Sequence, residues 1–124
     1  MSGLSNYLEN KLLDHVLRNV SYTPVTTVYL ALYAGSPTDA SSGGSEVAVT
    51  RQAITFGAAS SGTVSNSSSI SFASMPAVTV THVGVFDAST GGNLLIHGAL
   101  ASSVIAASGD TFTIAVNDLD ITLD

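Results

Sequence analysis

Cysteine and tryptophan are absent from this 124-residue chain, and cations are nearly so. Without cysteine there is no disulfide, no thiolate metal site and no thiol nucleophile, so folding is indifferent to the redox compartment. Lys11, Arg18 and Arg51 are the only Lys or Arg residues against nine Asp and Glu, giving a formal net charge of −6 and a pI near 4.5. Three cations cannot neutralise the several phosphates that useful nucleic-acid affinity requires, which excludes DNA and RNA as partners. A polybasic membrane patch is excluded on the same count. Lys11 has no Gly-rich loop before it, so a lysine-dependent phosphate site goes as well. No apolar run approaches the ~20 residues that span a bilayer. The opening MSGLSNYLEN lacks the basic and apolar regions of a secretion signal. The expected product is a soluble protein made in a cytoplasm, with no membrane partner.

Scarce charge does not mean disorder here. Charged residues are 10% of the chain, against roughly 25% in an average domain. Hydrophobic residues reach 45%, mean hydropathy is +0.42, and 19 Ser with 13 Thr supply the polarity that charge does not. That much apolar surface offsets the ordering entropy of one domain. Residues 1–124 are therefore read as a single domain, a helix at about 5–20 and a β-sandwich at about 26–124.

The helix rests on period. Leu8, Leu12, Val16 and Val20 recur every four residues, flanked by Leu13 and Leu17, which makes a broad apolar stripe. Asn6 followed by Glu9 reads as an N-cap with its reciprocal partner. Asp14 and Arg18 stand in the favourable i,i+4 order. Tyr22-Thr23-Pro24 supplies a stop, because proline disfavours helix at the residue before it. Beyond Thr26 the pattern becomes β. Residues 27–34 (TVYLALYA) are apolar on both faces, as in a strand covered on both sides, and the helix is a candidate cover. Further strands are expected at 47–56, 69–73, 78–87, 93–99, 104–107, 111–116 and 119–123. Ala88–Gly92 marks a hairpin turn and Ser108-Gly109-Asp110 joins the next two strands. Seven or eight short strands with turns every 8–12 residues describe a mainly β fold, an antiparallel sandwich after one amphipathic helix.

The search for chemistry assembles no site. Serine is abundant, yet no G-x-S-x-G elbow exists, and Gly43-Gly44-Ser45-Glu46 is the nearest approach. If Phe86 pairs with Asn93 across the hairpin, His82 falls opposite His97, close enough to share a metal or proton; a one-residue slip separates them. Asp118, Asp120 and Asp124 cluster near the end of the sequence, but the D-x-D-x-D-G pattern of a calcium loop is missing. Tyr29, Tyr33, Phe56, Phe72 and Phe112 fall inside expected strands, where core packing is their default role. No metal, cofactor or catalytic residue is assigned, and the chain reads as no enzyme.

Four segments are familiar together. SNYLENKLLDHVLRN (5–19), YTPVTTVYLALYAGSPTDA (22–40), RQAITFGAASSGTVSNSSSISF (51–72) and THVGVFDASTGGNLLIHGAL (81–100) resemble, in the same order, a family of small tailed-bacteriophage proteins labelled tail-fibre or minor virion proteins. The resemblance rests on the leucine-rich helix, the Tyr-Leu-Ala-Leu-Tyr strand, Arg-Gln before Ile-Thr-Phe, and Gly-x-Phe-Asp before Gly-Gly-x-Leu-Leu. It implies a structural subunit of the virion exterior, tail-associated or decorating the capsid. Its implied partners are other virion proteins and further copies of itself, a trimer being the favoured count. No catalytic or cofactor residue transfers from it. The expected mechanism is assembly, with multivalency supplying affinity. Leu8, Lys11, Leu12, His15 and Arg18 on the helix are the candidate interface, Lys11 and Arg18 reading acidic groups on a scaffold. A small glycan-binding adhesin, with polar loops 35–46 and 57–63 at one end of the sandwich, is the alternative.

Overall fold

A buried serine hydroxyl fixes where the helix begins. The computed structural model describes residues 3–123 and makes Ser5 the N-cap of helix α1 (Asn6–Arg18). Ser5 Oγ accepts from the Leu8 N–H at 3.2 Å and donates to the Leu94 carbonyl. The sequence pattern puts Asn6 in this role. The long-range bond to Leu94 moves the cap one residue earlier and leaves Glu9 as a first-turn acid facing the helix dipole. The helix ends at Asn19, which adopts the left-handed conformation (φ 57°, ψ 34°), with the N–H groups of Asn19 and Val20 turned onto the Asp14 carbonyl. It therefore spans 6–18 and not 5–20, stopping before the Tyr22-Thr23-Pro24 segment is reached.

The rest is antiparallel β. The strands are β1 (Gly3–Leu4), β2 (Val28–Ala34), β3 (Ser45–Glu46), β4 (Gln52–Ile54), β5 (Thr63–Ser65), β6 (Ile70–Phe72), β7 (Val78–Phe86), β8 (Leu94–Ala106), β9 (Phe112–Ile114) and β10 (Asp120–Thr122). One sheet runs β1-β8-β7-β2-β3, with β4 also paired to β2; two-stranded ladders β5–β10 and β6–β9 supply the facing layer. The antiparallel architecture and the single N-terminal helix agree with the sequence pattern. Among the described residues the strand count is ten, because the strands β1, β3 and β5 are too short to show a period.

β2 is apolar on both faces and covered on both. Leu30 and Leu32 point into the main core, where they join Val83 and Val85 from β7 and Phe72, Ile114 and Ile121 from the ladders. Each such side chain contributes about 1.5–3 kcal/mol on burial. On the other face Ala31 and Tyr33 pack with Phe86 and Leu94, the Tyr33 and Phe86 rings stacking at 6.4 Å with 7° between planes. Gly84 lies under this cluster: a Cβ there would stand 2.9 Å from Leu94 Cδ1. The helix packs chiefly on β8 and β1, so it is not the cover of β2 that the sequence pattern suggests.

Two connections differ from expectation. Residues 93–99 and 104–107, which read as separate strands, form the single strand β8. Ala99 pairs with His82 and Val104 with Val80, so residues 100–103 bulge opposite Thr81 alone. The Ser108-Gly109-Asp110 turn links β8 in the large sheet to β9 in the facing layer, where β9 pairs with β6.

Buried Asn66 ties the facing layer together. Its Nδ2 donates to the Ser68 and Ala115 carbonyls at 2.8 and 3.0 Å, and its Oδ1 accepts from the Leu119 N–H at 2.9 Å. Among the described residues no buried side-chain nitrogen or oxygen lacks a partner. Asn66→Ala strands those backbone groups away from water, so it should cost about 3 kcal/mol in urea unfolding, whereas an exposed Asn10→Ala control should change stability by under about 0.5 kcal/mol.

Candidate functional site

The two hairpin histidines do not meet. His82 stands opposite Ala99 and His97 opposite Gly84, because Phe86 pairs with Leu94 instead of Asn93 and an irregularity between Val85 and Phe86 adds a second residue to the shift. Each ring has another partner. His82 Nδ1 lies 2.8 Å from Thr81 Oγ1, and His97 Nε2 lies 2.7 Å from Asp39 Oδ1. The second contact fastens the 35–44 loop to β8 beside the helix start, where the Asp39 carbonyl also accepts from the Asn6 N–H at 2.9 Å. Among the described residues no three His, Asp or Glu side chains converge as metal ligands. Asp120 accepts a hydrogen bond from Ser65 across the β5–β10 ladder. Asp124 of the same cluster lies outside the described residues.

Arg51 is the residue that sequence reasoning passed over. Its side chain is 7% exposed, and its guanidinium carbon sits 3.7 Å from the centroid of the Phe86 ring. Nε and Nη2 grip both carboxylate oxygens of Glu46 at 2.8 and 2.9 Å, and Nη1 donates to the carbonyls of Ala88 and Gly91 at 2.9 and 2.8 Å. The Glu46 hydrogen bond raises the Arg51 pKa above its ordinary value, although burial opposes it. At the same turn Asp87 accepts from the Asn93 N–H at 2.7 Å and from Asn93 Nδ2 at 2.9 Å. Gly92 has φ +72°, and a Cβ there would fall 2.5 Å from Asp87 Oδ1. The Arg-Gln and Gly-x-Phe-Asp…Gly-Gly signatures thus meet in one clasp. Its signal in the sequence was a single cation standing outside the helix. What it does is rigidify the β7–β8 turn; it offers no free group for chemistry.

The helix shows a different surface. Leu8 is buried against the body and Leu12 half-buried, so neither leucine of the expected interface is fully open. Lys11, His15 and Arg18 are exposed: Lys11 Nζ lies 5.7 Å from the Tyr7 ring centroid, His15 Nδ1 lies 3.0 Å from the Val20 carbonyl, and Arg18 pairs with Asp14 at 2.9 Å. Beside them Leu13, Val16 and Leu17 are 56%, 72% and 73% exposed, and Val20 and Val25 follow at 42% and 38%. Next to this row an open apolar hollow of about 340 Å³ is lined by Val28, Val85 and Ile96 of the large sheet together with Leu8, Val64 and Ile121. Tyr22 and Val25 also line it, and burial, then Tyr7 and Asp87, raise the Tyr22 hydroxyl pKa. A row of large aliphatic side chains in water thus lies beside an unfilled apolar hollow, an arrangement of the kind that marks candidate contact surfaces.

The family described as podophage GP4 fiber I protein gp80 matches residues 3–122. The chain belongs to this family. No curated protein matches the chain. Membership makes it a fibre-type structural protein of a bacteriophage and implies a place on the virion. Among the described residues no helix is long and apolar enough to cross a membrane.

Two outcomes check the clasp. Arg51→Lys keeps the charge but loses the planar fork and the ring stack, so urea unfolding should show a loss of about 1–2 kcal/mol. Asp87 is held below the ordinary carboxylate value: burial pushes it up, but the Asn93 bonds, its own backbone N–H and Arg51 outweigh that. A lowered folded-state pKa means the stabilisation is complete above about pH 4 and is lost as pH falls further. Asp87→Asn should therefore flatten the acid limb of a Tm-versus-pH profile relative to the unaltered chain.

Proposed function

We propose that the chain is a non-enzymatic accessory subunit of the phage fibre apparatus. Helix α1 is its attachment element, and it acts as a homo-oligomer, with a trimer the favoured count. One observation carries the reading: Leu13, Val16 and Leu17, large aliphatic residues on successive turns, stand in water together on one face of the helix. Lys11, Leu12, His15 and Arg18 border that row. Because Leu8 is committed to the chain's own packing, the working face lies further round the helix than Leu8 and Leu12 alone would place it.

Charge supports the same face. Within α1, Lys11 and Arg18 balance Glu9 and Asp14, so the whole formal charge of −6 resides outside the helix. An acidic scaffold protein is repelled by the β body and meets no net repulsion at the helix. The adhesin alternative has less behind it: sugar rings stack on exposed aromatic faces, and none of the eight Tyr and Phe side chains is fully exposed.

The test is incorporation. In phage carrying Leu13→Asp with Leu17→Asp, the purified variant should keep its unfolding midpoint, since both sites are exposed, yet be at least ten-fold depleted from purified particles by quantitative mass spectrometry. Normal copy number would contradict the reading. Charge reversal at Lys11 and Arg18 should weaken incorporation by a smaller factor, because exposed charges steer association more than they hold it.

A further inference from the structure

We propose that the hollow between α1 and the β5–β10 ladder receives the Leu13/Val16/Leu17 row of a second copy of this chain. The inference rests on the assembly reading above and names both halves of the contact between copies. The hollow is large enough for a small ligand, but such sites carry a few placed polar groups that orient what they bind. Here the lining side chains are apolar apart from the Tyr22 hydroxyl, so the matching occupant is a set of aliphatic side chains. The row has the i, i+3, i+4 spacing of a helix ridge that seats in an apolar groove.

Its own helix cannot fill the hollow. Leu8, which helps line it, is buried against the body, and Leu13 lies about 140° around the helix from it. The row must therefore come from another molecule. Charge selects the helix of a second copy. Apart from α1 itself, the strands and connections that line the hollow carry no Lys or Arg at or next to a lining position, Asp120 stands next to the lining residue Ile121, and Asp87 acts on Tyr22. Two β bodies repel each other, whereas α1 is neutral overall and carries Lys11 and Arg18 exposed on its surface. Row and hollow are also continuous: Val25 is at once an exposed aliphatic residue and part of the hollow's lining. A neighbour seated there covers both apolar surfaces together, and the same contact serves a reciprocal pair or a closed ring.

The absence of cysteine makes cross-linking a clean test. Leu17→Cys and Val25→Cys sit at exposed positions, and each variant is first checked for an unchanged unfolding midpoint. The two are then mixed and oxidised, and the products separated without reductant. The proposal expects at least ten-fold more covalent dimer from the mixture than from either variant alone. If Leu17→Cys cross-links to itself and the mixture adds nothing, helices pair with helices; the hollow is then not the acceptor, though assembly through α1 stands. If every sample stays monomeric by analytical ultracentrifugation and no dimer forms, both the hollow contact and the homo-oligomer are overturned.

Discussion

A strand that is apolar on both faces obliges the chain to build two covers, and the other features of this fold arrange themselves around that demand. In β2, Leu30 and Leu32 face one way and Ala31 and Tyr33 the other, all of them buried. The first face is met by the short ladders, whose Phe72, Ile114 and Ile121 complete the main core. The second is met by Phe86 and Leu94 with Arg51 laid over the Phe86 ring. That second cover needs a cation in a nearly cation-free chain. The protein places its one non-helical cation there, with every nitrogen of the guanidinium hydrogen-bonded.

Because β2 is covered without it, the helix is free for other work. It is anchored at its start, where Ser5, Asn6 and Leu8 bond or pack against β8 and the 35–44 loop. Beyond Leu12 its apolar side chains have no cover within the chain. The facing layer is made of two separate ladders, and it closes over the large sheet incompletely, leaving the apolar hollow beside the helix. An exposed aliphatic row and an unfilled hollow on one molecule are costly in isolation, and the assembly proposed above would cover both. Membership in a phage fibre family supplies the setting in which such an assembly is built.

Much of this was legible in the sequence. The helix announced itself by period and the hairpin by Ala88–Gly92, and the two-faced character of residues 27–34 was plain. What periodicity could not say was which side of a six-residue apolar stripe would be buried. A broad stripe fits either choice, and the Ser5–Leu94 bond decides it. Residues 100–103 (LASS) break the apolar pattern between the expected strands 93–99 and 104–107 but form a bulge inside β8, since an extra stretch in one strand interrupts alternation as a connection would. β5 is three residues among glycine and serine, too short for alternation to register. The Arg51 clasp joins residues some forty positions apart, so no local pattern could reveal it, although its two halves were already recognisable as family signatures.

The claim on which the account turns is that the outward face of α1 is covered in the assembled particle. A localised cryo-EM reconstruction of the fibre region of purified virions tests it most directly. The account predicts density for this chain with Leu13, Val16 and Leu17 packed against a neighbouring protein chain and excluded from solvent. A reconstruction in which the fold is present and that helix face borders open solvent in every copy would contradict it.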